Sequence, residues 1–138
     1  MIRVDGAQVT AFAAQLRDVP KEMRTGLRRT IRKESQTLVR AIQGNASWSS
    51  RIPAAVRTRV GFGQRGAGVL VYVDEDQAPH ARPLEGTNRS GINRHPVHGT
   101  DVWVDQPTRP FFLRAVRAEQ PRLVAAIQRS IDNVWKQL

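Results

Sequence analysis

Hydrophobic positions recur first at helical spacing and then in alternation. Val9, Phe12, Ala13 and Leu16 share one helical face behind Asp5 and Gln8, a residue pair spaced as a capping box, and this predicts a helix over residues 6–17. Asp18-Val19-Pro20 interrupts it. A second helix is expected over 20–43, with Pro20 in its first turn and an apolar stripe of Met23, Leu27, Ile31, Leu38 and Ile42. Gly44-Asn45 predicts a left-handed cap at its end. A polar connector, Ala46 to Pro53, carries Trp48. The spacing then changes to two: Val56, Val60 and Phe62 point one way, Arg57 and Arg59 the other, which predicts a strand over 56–62. Val69-Leu70-Val71-Tyr72-Val73 is a β-branched and aromatic run, expected as a second strand over 69–74. The two strands should form an antiparallel hairpin. Leu70 and Tyr72 make its second face apolar too, so that face calls for a covering helix or another subunit.

Beyond the hairpin, residues 76–100 show no regular pattern. A third short strand is expected over 101–105, with Val102 and Val104 inward and Trp103 on the other face near Tyr72. A final helix is expected over 109–136, capped by Thr108 or Arg109, with Pro110 in its first turn. Leu113, Val116, Val124, Ile127, Ile131 and Val134 mark its buried stripe, and Pro121 should kink or divide it. The pattern as a whole predicts one α+β domain over residues 1–138. It has N-terminal helices, a small antiparallel sheet of about three to four strands, a long loop, and a C-terminal helix packed on the sheet.

Charge changes the picture in one half only. The chain of 138 residues has a formal net charge of +10. Through Arg65 there are 13 Lys+Arg against 4 Asp+Glu, and from Gly66 onward 9 against 8. The second helix concentrates this excess in Arg24, Arg28, Arg29, Arg32 and Lys33, away from its apolar stripe. Such a face is either solvated or meets an anionic surface, whether DNA phosphates or an acidic protein. No aromatic residues are interleaved for base stacking, and no recognition helix follows a short turn, so sequence-specific DNA reading is not expected. The chain contains no cysteine, which excludes disulfides and thiolate metal sites. No apolar run reaches the ~20 residues of a membrane span, and the first residues do not read as a signal peptide.

Candidate chemistry is sparse. Gly61-Phe62-Gly63-Gln64-Arg65-Gly66 matches GxGxxG, but a strand follows it where a dinucleotide site needs a helix, so a hairpin turn is expected. Asp74-Glu75-Asp76 is the one acidic run and is expected as a strand-ending turn. His80, His95 and His98 lie in the loop. The His95/His98 spacing, with Glu85 and Asp101 nearby in sequence, could in principle serve zinc, but nothing supplies a helix-borne ligand pair. No serine sits in a GxSxG elbow. Neither a cofactor, a metal nor an enzymatic activity is expected.

Two loop motifs remain, Ala78-Pro79-His80 with Leu84-Glu85-Gly86-Thr87, and Arg109-Pro110-Phe111-Phe112-Leu113. With the order of elements, they resemble the tail-component, or tail-completion, family of long-tailed bacteriophages, the small neck proteins described as minor tail protein Z-like. That family combines a loop reading Ala-Pro-Tyr-x-x-x-x-Glu-x-Gly-Thr with a Pro-x-Arg-Pro-Phe-Leu element before the last helix. His80 stands here in the aromatic position, and the likeness covers about Pro20 to Leu138. The resemblance implies a structural virion protein. Copies would form a ring, expected as a hexamer, that joins the connector or stopper to the tail tube or tail terminator while DNA passes through. Assembly would occur in the host cytoplasm. On this view 76–100 is an assembly loop. Glu85, Gly86 and Thr87 would form a turn at one end, and Arg109, Pro110, Phe111 and Phe112 would anchor the other, with one phenylalanine in the core. Pro79 and His80, with Tyr72 and Trp103 as aromatic anchors, would add contacts to neighbouring subunits. The alternative reading is a basic module that binds nucleic acid without sequence preference.

Overall fold

A computed structural model describes residues 17–63, 66–86 and 91–137. The helix expected over 6–17 lies outside the described residues but for its last position. The elements run α1 (Lys21–Asn45), α2 (Arg51–Ala54), β1 (Val56–Gly63), β2 (Gly66–Val73), α3 (Ala81–Glu85), β3 (Ile92–Pro96), β4 (Trp103–Pro107) and α4 (Phe112–Lys136). The molecule is α+β, as its pattern predicts. Among the described residues, however, the strands form two separate two-stranded antiparallel sheets, β1-β2 and β3-β4.

The central element is α1. Leu27, Ile31, Leu38 and Ile42 are buried, and Met23 packs at the margin of the core. Ser35 completes the stripe. It is fully buried, and its hydroxyl donates to the Ile31 carbonyl at 2.8 Å, so the polar atom is satisfied within the helix. Pro20 directly precedes the helix with φ −55°, a value its ring imposes. The other end departs from expectation. Neither Gly44 nor Asn45 adopts a positive φ, and the chain leaves through successive tight turns, Ser47 N–H to Gly44 O and Ser49 N–H to Ala46 O. Asn45 has another use: its side-chain amide donates to the Phe111 carbonyl at 3.1 Å.

β1 packs against α1 through Val56, Val60 and Phe62, all buried, while Arg59 is exposed on the opposite face. The hairpin register pairs Val60 with Val69, Arg59 with Leu70 and Arg57 with Tyr72. Leu70 and Tyr72 therefore share the outer face with the two arginines, and both are half-buried. The GxGxxG glycines belong to this hairpin, and a strand, not a helix, follows them. Asp74 closes the second strand in a turn: its carboxylate accepts the Asp76 N–H and its carbonyl the Ala78 N–H.

The last helix packs on α1 and not, as expected, on the sheet. Both helices are 25 residues long, and each presents a continuous apolar stripe. Each stripe removes the other's apolar surface from water. Val116, Leu123, Ile127 and Ile131 are buried along this seam, and Val124 and Val134 lie at its margin. Leu113 was expected in the stripe but is 38% exposed. The helix continues through Pro121 as one element. Pro121 is on the exposed side, where the carbonyl it leaves without a donor can bond water. No helix among the described residues is long and apolar enough to cross a membrane.

Candidate functional site

The two loop motifs meet. The short helix α3 ends at Glu85, whose carboxylate is buried against the first turn of α4. One oxygen accepts the N–H groups of Phe111 and Phe112, each at 2.8 Å, and the other accepts that of Leu113 at 2.9 Å. A helix leaves its first N–H groups without intrahelical partners and carries partial positive charge there. Glu85 meets both needs from 26 residues away in sequence. The cap expected from Thr108 or Arg109 is thus supplied through space, and Pro110 lies before the helix instead of in its first turn.

The backbone reinforces the junction. Arg109 N–H donates to Leu84 O at 2.7 Å, and Thr108 N–H to Gly91 O at 2.9 Å. Gly86 turns the chain away with φ +85°, and a Cβ there would stand 3.1 Å from Thr108 Cγ2, so both conformation and space require glycine. Thr87, the last residue of the first motif, lies outside the described residues.

Phe111 and Phe112 are both 1% exposed, so two phenylalanines enter the core where one was expected. Phe111 meets Trp48 edge-to-face at 6.3 Å and Phe112 at 6.5 Å. The Arg109 guanidinium lies 4.3 Å from the Trp48 ring centroid, stacked on the outside. Trp48 is the anchor that sequence reasoning missed. Its signal was available, a lone tryptophan in a polar connector, but nothing local shows that its partner lies at residue 111. His80 approaches the same connector, with Nε2 3.4 Å from Ser49 Oγ, and Pro79 is exposed in the turn before α3.

Between these anchors, the stretch expected to be irregular contains α3 and half of a hairpin. β3 and β4 pair from Ile92↔Pro107 to Pro96↔Trp103. This arm is exposed: Trp103 is 56% and Val102 61% accessible, and Val104 is exposed as well. The expected third strand therefore does not extend the β1-β2 sheet, and Trp103 and Tyr72 belong to different sheets. The arm turns no face to the core, so Val102 and Val104 have no interior to point into. Arg94 and Asp105 pair across it at 3.3 Å, and His95 Nε2 lies 3.1 Å from Gln106 Oε1. His98 is exposed near the tip. Among the described residues, no group of three or more His, Asp or Glu side chains converges as a metal site.

The basic cluster of α1 divides in two. Arg24 and Arg28 are half-buried, with guanidinium carbons 5.8 and 5.0 Å from the Phe62 ring centroid. Arg24 also donates to the carbonyls of Val19 and Arg17. Both arginines cover the open end of the core and act as packing residues. Arg29, Arg32 and Lys33 are exposed, joined by Arg40 further along the helix.

At the base of the arm, Gly86, Gly91, Thr108, Pro110, Leu113, Arg114 and Arg117 line an open groove of about 450 Å3 with Glu85 at its floor. No family model matches the chain, and no curated protein or solved structure does. The functional reading rests on this geometry and on the motifs.

Proposed function

We propose that the protein is a structural component of a phage head–tail junction. It acts not as an enzyme but as a subunit of a ring that joins the connector to the tail tube. One observation carries this reading. The two motifs on which the resemblance rests, Leu84-Glu85-Gly86 and Arg109-Pro110-Phe111-Phe112, form one clamp through the Glu85 carboxylate. The clamp holds the base of an arm whose apolar residues are left in solvent. A chain that rigidly positions an exposed apolar hairpin is suited to contact another protein, because such surface is costly to leave uncovered. Deleting the gene from a phage that carries it should leave DNA-filled heads and finished tails unjoined in electron micrographs. Normal yields of complete particles would sink the reading.

The nucleic-acid reading has its own supporting observation. Arg29, Lys33 and Arg40 lie along one ridge of α1, exposed and without an ion pair among the described residues. Three cations release about three counterions on binding phosphates, so log K for DNA should fall with log salt at a slope of about −2.7. A mobility shift that survives near ~200 mM salt and disappears on charge reversal of these three residues would favour this reading.

A further inference from the structure

We infer that the tip of the arm docks into the groove at the arm base of a second copy of this chain. The inference rests on the ring reading above and names its contact. The tip presents Val97, Val102 and Trp103, all exposed, beside the exposed carboxylate of Asp101. The groove offers the complementary set: exposed Leu113 flanked by the exposed cations Arg114 and Arg117. Neither arginine has an ion pair or side-chain hydrogen bond among the described residues.

Charge distinguishes the arm from everything around it. From Gly91 to Thr108 there is one arginine against two aspartates, whereas the rest of the chain carries 21 Lys+Arg against 10 Asp+Glu. An apolar, net-negative hairpin suits a basic protein surface and opposes nucleic acid, and this chain itself supplies a basic surface. The arm cannot fill its own groove. The groove lies at the Gly91/Thr108 end, and Trp103 stands five residues further out, roughly 17 Å at the rise of an antiparallel strand. Because tip and groove are different surfaces, the contact is head-to-tail, and repetition generates a ring when the rotation closes.

Sedimentation of three proteins tests the contact. Wild type should form oligomers. Val102→Glu/Trp103→Glu, which spoils the tip, and Arg114→Glu/Arg117→Glu, which spoils the groove, should each remain monomeric while melting as wild type does. Mixed together, they should form a one-to-one heterodimer and nothing larger, since one intact tip meets one intact groove. Asp101→Arg should also weaken assembly, and adding Arg117→Asp to it should recover part of the loss. This pair serves if a double variant does not fold. Variants that assemble like wild type, or a mixture that stays monomeric, would overturn the tip-in-groove contact and leave the ring reading intact. Wild type that stays monomeric both alone and with tail-tube protein would overturn both.

Discussion

Glu85→Ala should destabilise the fold by about 3–4 kcal/mol, from the loss of charge-assisted bonds and the desolvation of unpaired N–H groups. The substitution leaves three N–H groups at the start of α4 without acceptors, two of them on buried phenylalanines. Loss of an ordinary N-cap costs about 0.5–2 kcal/mol, and that change strands only one or two donors next to water. Here three donors lose a charged acceptor at once, so the total cost is higher. Glu85→Gln keeps one carbonyl oxygen and places an N–H₂ where the other acceptor was. It should fall between alanine and wild type. Urea unfolding measures both, and hydrogen exchange at the Phe111, Phe112 and Leu113 amides reports whether the loss is at the clamp. An alanine variant within 1 kcal/mol of wild type would show that these bonds contribute little, an outcome at odds with the usual cost of unsatisfied buried donors.

The same residue shows what could be read from the sequence and what could not. Local periodicity identified α1, the β1-β2 hairpin and most of α4, because each buries a face whose spacing is set by its own geometry. Leu27, Ile31, Leu38 and Ile42 are buried as their spacing requires, and Val56, Val60 and Phe62 likewise. The arm was hidden because it buries nothing. Ile92-Asn93-Arg94-His95-Pro96 has no apolar alternation, and it pairs with Trp103–Pro107 through the backbone ladder, with Arg94–Asp105 as an exposed cross-strand pair. Its partner strand was legible only as an apolar run, and an apolar run is normally assigned to a core. Val102 and Val104 were therefore placed inward when they are exposed. Glu85 was singled out, but as a turn residue. Its role as a cap depends on a contact across 26 residues, which no local pattern encodes. The division of the basic cluster was hidden for a related reason. Arg24 and Arg28 lie near the apolar stripe, and only the fold reveals that Phe62 is beneath them.

Phe111→Ala should cost about 3–5 kcal/mol, the range for removing a large aromatic from a packed interior. Phe111 is 1% exposed and touches rings on both sides, Trp48 at 6.3 Å and Phe112 at 6.5 Å, each edge-to-face. Such pairs add about 0.5–1.5 kcal/mol beyond burial. Alanine keeps the backbone groups that serve Glu85 and Asn45, so the hydrogen bonds of the clamp can persist while the packing around them is lost. Trp48 then loses the wall that orients it, and the Arg109 guanidinium 4.3 Å from its ring loses its platform. Leu113→Ala, two positions on in the same motif, is the internal control. Leu113 is 38% exposed, so its truncation should change stability by less than about 1 kcal/mol. The same substitution should weaken self-association if the groove receives a neighbour's arm. The pair thus separates two functions within one short motif: Phe111 holds the clamp to the core, and Leu113 faces outward from it. Truncating Phe111 opens water access to the N–H that Glu85 caps, so the double variant should lose less stability than the two single losses added together. Additive losses would mean that clamp and aromatic cluster act independently, and that the arm is held at its base by two separate devices.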